Sequence, residues 1–168
     1  RKGYFNRNDS GCIHMKKKMK LFVIMFALAF SLLNLPLEKF VPAAKATYVE
    51  GEISIDTVWT LVDSPFVVSK NVTIYPDATL TIEPGVEVRF GGGPFTIIVN
   101  GTLIARGTEE KPIRFTSNKE KPEAGDWATI LFNGTGQQPS LLENCVVEYG
   151  TNGVTVEGGA LTIQKSII

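Results

Sequence analysis

From residue 47 to the end of the chain, apolar residues recur in short alternating runs. Ile53 and Ile55 come first, then Val58 and Trp59, Val67 and Val68, Val72 and Ile74, Leu80 and Ile82, and Val86, Val88 and Phe90. After Gly91–Gly93 the alternation resumes with Ile97 and Val99, Leu103, Ile113 and Phe115, Ile130 and Phe132, Val147 and Tyr149, Val154 and Val156, and Leu161 and Ile163, and it closes on Ile167 and Ile168. A period of two marks strands that bury one face. No apolar spacing in this region follows a helical period. Compact turn signals separate the runs: Tyr75-Pro76-Asp77, Glu83-Pro84-Gly85, Asn100-Gly101, Asn133-Gly134 and Asn152-Gly153. Proline presets one turn dihedral, and Gly and Asn tolerate positive φ.

Runs this short make a poor flat sheet. They suit a coil of several faces in which each strand stacks on its counterpart one turn later. Internal echoes agree: DATLTIEPGVEVRF is answered by GGALTIQKSII, and FTIIVNGTLIARGT by VTVEGGALTI. The candidate coils are roughly 17 to 26 residues long, which fits a solenoid with variable loops. One coil cannot bury its own inward Ile, Val and Leu, but successive coils share an apolar interior. An antiparallel β-sandwich is the rival, because the Asn-Gly pairs also read as hairpin turns. The pattern alone leaves both open.

The N-terminal part is different in kind. Residues 1–14 carry no periodic pattern and read as an upstream or disordered segment. Residues 15–46 read as a secretory signal: Lys16, Lys17, Lys18 and Lys20 precede an apolar run from Leu21 to Leu33, and Ala44-Lys45-Ala46 supplies a small-x-small cleavage pattern. An uncleaved signal anchor is the alternative. The apolar run is shorter than the about 20 residues a membrane-spanning helix needs. Residues 47–68 are expected to cap a solenoid whose coils occupy 69–168. Nothing after Ile168 reads as a closing cap, so the coils are expected to continue in a longer domain.

Charge sharpens this division. The 168 residues balance 17 basic against 17 acidic side chains, yet residues 1–46 hold nine Lys or Arg and two acids, while residues 47–168 hold eight and fifteen. The mature part is therefore near −7. An acidic surface argues against a nucleic-acid partner, whose affinity rests on neutralising phosphates. Cys145 is the one cysteine after residue 46 and reads as a small buried hydrophobe. Cys12 and His14 precede the export signal.

Residues 101–132, GTLIARGTEEKPIRFTSNKEKPEAGDWATILF, resemble a recurrent segment of exported bacterial and archaeal proteins with right-handed parallel β-helix domains of the pectin-lyase-like type. LTIEPGVEVRFGGG at 80–93 and LLENCVVEYGTNGVTVEGGALTIQKS at 141–166 belong to the same resemblance, which covers nearly all of 53–168. Similar proteins often place two glycines after the Gly125-Asp126-Trp127 triplet, where this chain has Ala128-Thr129. The resemblance implies an all-β fold, a parallel β-helix. For function it spans surface-layer-associated, adhesion-type and carbohydrate-active proteins.

The candidate carbohydrate contacts are Trp127, as a stacking platform, and Asp126 beside it; packing and turn capping are their structural alternatives. Asp126, Glu143 and Glu148 are the carboxylates from which a glycosidase pair would have to be drawn, and the sequence does not show that any two converge. Arg89, Arg106 and Arg114 lie singly beside strands. Asn71-Val72-Thr73, Asn100-Gly101-Thr102 and Asn133-Gly134-Thr135 match the N-glycosylation pattern, although each Asn also suits a turn. Gly91–Gly93 lacks the spacing of a nucleotide loop. The expected function is an extracellular or cell-surface structural or interaction module, with a carbohydrate-binding role included. The alternatives are a fragment of a polysaccharide lyase or glycoside hydrolase and an accessory domain in metal or cofactor delivery. The expected partners are a polysaccharide or a cell-surface protein. Neither a cofactor nor a nucleic acid is expected, and membrane contact only through the signal or an anchor.

Overall fold

The computed structural model describes residues 45–134 and 138–168. Segment 1–14, with Cys12 and His14, and all but the last two residues of the expected signal lie outside the described residues. Thirteen strands follow one another: β1 (Thr47–Ile53), β2 (Thr57–Trp59), β3 (Phe66–Ile74), β4 (Thr79–Ile82), β5 (Glu87–Phe90), β6 (Thr96–Val99), β7 (Thr102–Arg106), β8 (Ile113–Ser117), β9 (Trp127–Asn133), β10 (Ser140–Glu143), β11 (Cys145–Val147), β12 (Gly150–Gly158) and β13 (Leu161–Gln164). A 3-10 turn at Leu61–Asp63 is the sole helical element among the described residues.

Every strand pairing is parallel, which excludes the sandwich. The strands form an eight-stranded sheet, β11-β8-β5-β3-β6-β9-β12 with β1 on β3, and a five-stranded sheet, β13-β10-β7-β4-β2. The larger sheet supplies two faces. Thr47–Val49, Phe66–Val68, β5, β8 and β11 stack as the first. Gly51–Ile53, Val72–Ile74, β6, β9 and β12 stack as the second. The smaller sheet is the third face, and the chain visits the three in turn. This is a parallel β-helix.

The core consists of inward columns. On the third face Trp59, Ile82, Ala105, Leu142 and Ile163 stack in register, separated by 23, 23, 37 and 21 residues. The coil of 37 is longer than the sequence reading allows. Its extra residues lie in the links before β8, β9 and β10, and the strands on either side stay in register. β4, β5 and β6 each show the strict alternation expected of them, with every second residue buried. Burying such a Leu, Ile or Val contributes about 1.5–3 kcal/mol each. Two aromatic stacks sit among the columns: Phe90 on Trp127, ring centroids 4.0 Å apart, and Trp59 on Phe66 at 4.8 Å.

Two Asn-Gly pairs serve a purpose other than positive φ. Gly101 and Gly134 are absent from the positive-φ residues of the chain. A Cβ on Gly101 would overlap the Tyr75 carbonyl oxygen one coil below, and a Cβ on Gly134 would overlap that of Asn100. These glycines let consecutive coils approach at the corner between the second and third faces.

Candidate functional site

Trp127 is not a sugar platform. Its ring is fully buried, stacked face to face on Phe90 with an interplanar angle of 2°, and its Nε1 donates to the Glu148 carbonyl at 2.9 Å. A side chain that opens a strand and points inward has no face left for a ligand. Asp126 is also withdrawn. Lys119 Nζ donates to its Oδ1 at 2.5 Å and the Glu123 amide to its Oδ2 at 3.0 Å. The lysine bond chiefly, then the amide and Ser117, hold its carboxyl down at about 2. Asp126 therefore fastens the two ends of loop 119–126 together.

The other carboxylates have their own cations. Glu143 pairs with Arg106 at 3.2 Å; Glu148 accepts from Arg114 at 2.7 Å and from Thr116 at 3.0 Å. Arg89 pairs with Glu87 on the outer side of β5. Of the sequon asparagines, Asn71 is exposed and its Oδ1 accepts the Thr96 amide at 3.0 Å. Asn100 is half-buried and Asn133 exposed; Thr135, which completes the third sequon, lies outside the described residues. Cys145 is buried, and desolvation pushes its thiol up to about 12, so it is a packing residue.

One edge of the solenoid departs from regular coiling. At the corner between the first and second faces, the link is one residue in the first coil (Glu50), three in the second (69–71), five in the third (91–95) and nine in the fourth (118–126). The links lengthen over these four coils and shorten again to two residues, 148–149, in the fifth. Where the three-residue corner meets the five-residue one, Glu50, Gly51, Lys70, Asn71, Pro94 and Phe95 line an open cleft of about 700 Å³. Phe95 is half-buried, its ring folded back against Gly93 and in contact with the core. Its carbonyl accepts the Ala128 amide at 3.0 Å, so the next coil fixes it.

The polar rim of the cleft is organised. Glu50 accepts from Lys70 Nζ at 3.2 Å and from Ser69 Oγ at 3.0 Å, and these bonds, the lysine's first, lower its carboxyl below the ordinary value. With Asn71 held by Thr96, the rim presents a carboxylate, an ammonium and an amide around an apolar floor. The sequence signal for it was Pro94-Phe95 directly after the glycine run Gly91–Gly93.

The family described as pectate-lyase like beta helix domain matches residues 51–162, more than half of the chain. Protein bark beetle of Drosophila melanogaster is 38% identical over 66 residues, which is 39% of this chain and 2% of that protein, so the similarity spans a small fraction of the relative's length. No solved structure matches. Parallel three-faced coiling and the match through five coils agree: the chain belongs to the pectate-lyase-like β-helix family.

Proposed function

We propose that this domain is a recognition module of an exported or cell-surface protein, binding polysaccharide at the stepped corner between its first and second faces. The cleft floored by Pro94 and Phe95 and rimmed by Glu50, Lys70 and Asn71 carries the reading. A stacked scaffold holding loops of graded length is a common way to build a binding surface, because the ladder fixes the loop ends. Export is supported by the signal-like pattern of residues 15–46. Binding is favoured over bond cleavage by the carboxylates. Asp126, Glu143 and Glu148 are each tied to a separate cation, and a carboxyl held at about 2 does not serve as a proton donor near neutrality.

Titration calorimetry of residues 47–168 against a panel of oligosaccharides tests the proposal. A bound member of the panel should lose at least about tenfold in affinity with Phe95→Ala or Asn71→Ala, one contact of about 1.4 kcal/mol. Affinity untouched by both substitutions would move the site elsewhere. Appearance of new reducing ends or unsaturated products during incubation would favour the lyase or hydrolase reading instead.

A further inference from the structure

Two features of the surface bear on which polysaccharide the cleft takes. The first is net charge: residues 47–168 carry eight basic and fifteen acidic side chains. The second is where the positive charges are committed. All three arginines of this region hold a carboxylate of the chain itself: Arg89 with Glu87, Arg106 with Glu143, Arg114 with Glu148. Lys70, which lines the cleft, is committed likewise to Glu50, and Lys119 of the 118–126 link to Asp126.

We infer that the cleft selects an uncharged glycan and discriminates against polyuronates such as pectate, the polymer in the family's own description. The inference rests on the recognition reading above. A uronate that reaches Lys70 shares it with Glu50, whose carboxylate already neutralises the ammonium, so the uronate gains no net opposite charge. The two carboxylates then lie at close range on a surface already near −7, and like charges at that distance repel. A neutral sugar meets no such opposition. Its hydroxyls donate to the Glu50 carboxylate and accept from Lys70 and the Asn71 amide without breaking the ion pair, while its apolar face covers Phe95 and Pro94. The Lys70–Glu50 pair, which contributes little to stability at an exposed site, thus acts as a charge filter.

The test is affinity electrophoresis of residues 47–168 through gels carrying neutral polysaccharides (a β-glucan, a galactan and a mannan) or polygalacturonate, with and without added calcium, at low and high salt. At least one neutral gel should retard the domain, by an amount that changes less than about twofold with salt, since no net charge is neutralised. Polygalacturonate should not retard it in either condition. E50Q frees Lys70 and should introduce retardation by polygalacturonate that disappears at high salt. Retardation of the unaltered domain by polygalacturonate, equal to or stronger than by any neutral gel, overturns the charge filter and leaves recognition standing. Retardation by none of the gels overturns both. Neutral binding without any gain by E50Q removes the ion pair as the cause and overturns the inference.

Discussion

β4 and β13 carry nearly the same residues in different surroundings. Ala78-Thr79-Leu80-Thr81-Ile82 is matched by Ala160-Leu161-Thr162-Ile163, and both strands lie on the third face with Leu80 above Leu161 in one column and Ile82 above Ile163 in another. Leu80 and Ile82 are fully buried, whereas Ile163 is 43% exposed. β4 lies between β2 and β7, whereas among the described residues β13 pairs with β10 alone. Local sequence sets which way a side chain points. Burial comes from having a coil on both sides, because inward residues are covered along the axis as well as across the section.

The largest effect expected from this contrast is at the aromatic stacks. Trp127→Ala, in the middle of the ladder, should cost about 3–5 kcal/mol in denaturant unfolding. Trp59→Ala, on the terminal strand β2, should cost less. Equal losses would mean that stacking on Phe90 and on Phe66 matters more than position along the axis. Next comes the matched aliphatic pair. Leu80→Ala should cost about 2–5 kcal/mol. In residues 47–168 taken alone, Ile163→Ala should cost below about 1 kcal/mol, because there its side chain is 43% exposed and loses little transfer energy. A similar loss at both positions would break the comparison.

Gly101→Ala probes the approach of neighbouring coils without touching the core. Its Cβ meets the Tyr75 carbonyl, and the expected loss is about 1–3 kcal/mol. Gly51, at positive φ with open space around it, provides the contrast; Gly51→Ala should lose about 1 kcal/mol from backbone conformation alone.

A smaller effect concerns acid. Asp126 falls from an ordinary 3.8 to about 2 in the folded chain, so its ionised form is stabilised by folding. That stability is complete above pH 3.8 and is lost as pH falls through this window toward 2. The melting temperature of Asp126→Asn should lie below that of the unaltered domain at neutral pH, and the two should converge at the acid end. A constant gap would show that loop 119–126 is held by something other than this carboxylate. Cys145, with its thiol pushed up to about 12 by burial, should have roughly one thiolate in ten thousand at pH 8. Labelling by a thiol reagent should be very slow in the folded domain and rapid in denaturant.

Strand positions, inward residues and the all-β character were legible in the sequence. The pleat makes side chains alternate, and a period of two survives in any β architecture. For that reason alternation could not separate a solenoid from a sandwich, and resemblance to known proteins had to do so. The Asn-Gly pairs were legible as corners but not for their cause: at positions 101 and 134 glycine is required by a carbonyl 26 to 34 residues away in the chain. The candidate site was the least legible. Trp127 drew notice as the aromatic beside an Asp, yet Phe90 and the Glu148 carbonyl claim it for the core. Phe95 went unnoticed, because its place in a cleft depends on Glu50 and Lys70 from two earlier coils.

The sequence by itself determined the strands, the alternation that fills the interior, and an acidic surface on residues 47–168. Tertiary structure alone decided which strands stack, which aromatic is covered and which lines a cleft, and which carboxylate each cation holds. The physical reason is range. Pleat and turn chemistry act between residues adjacent in the chain, while burial and ion pairing in a solenoid are set by residues one coil away, and coil length here varies from 21 to 37 residues with the loops.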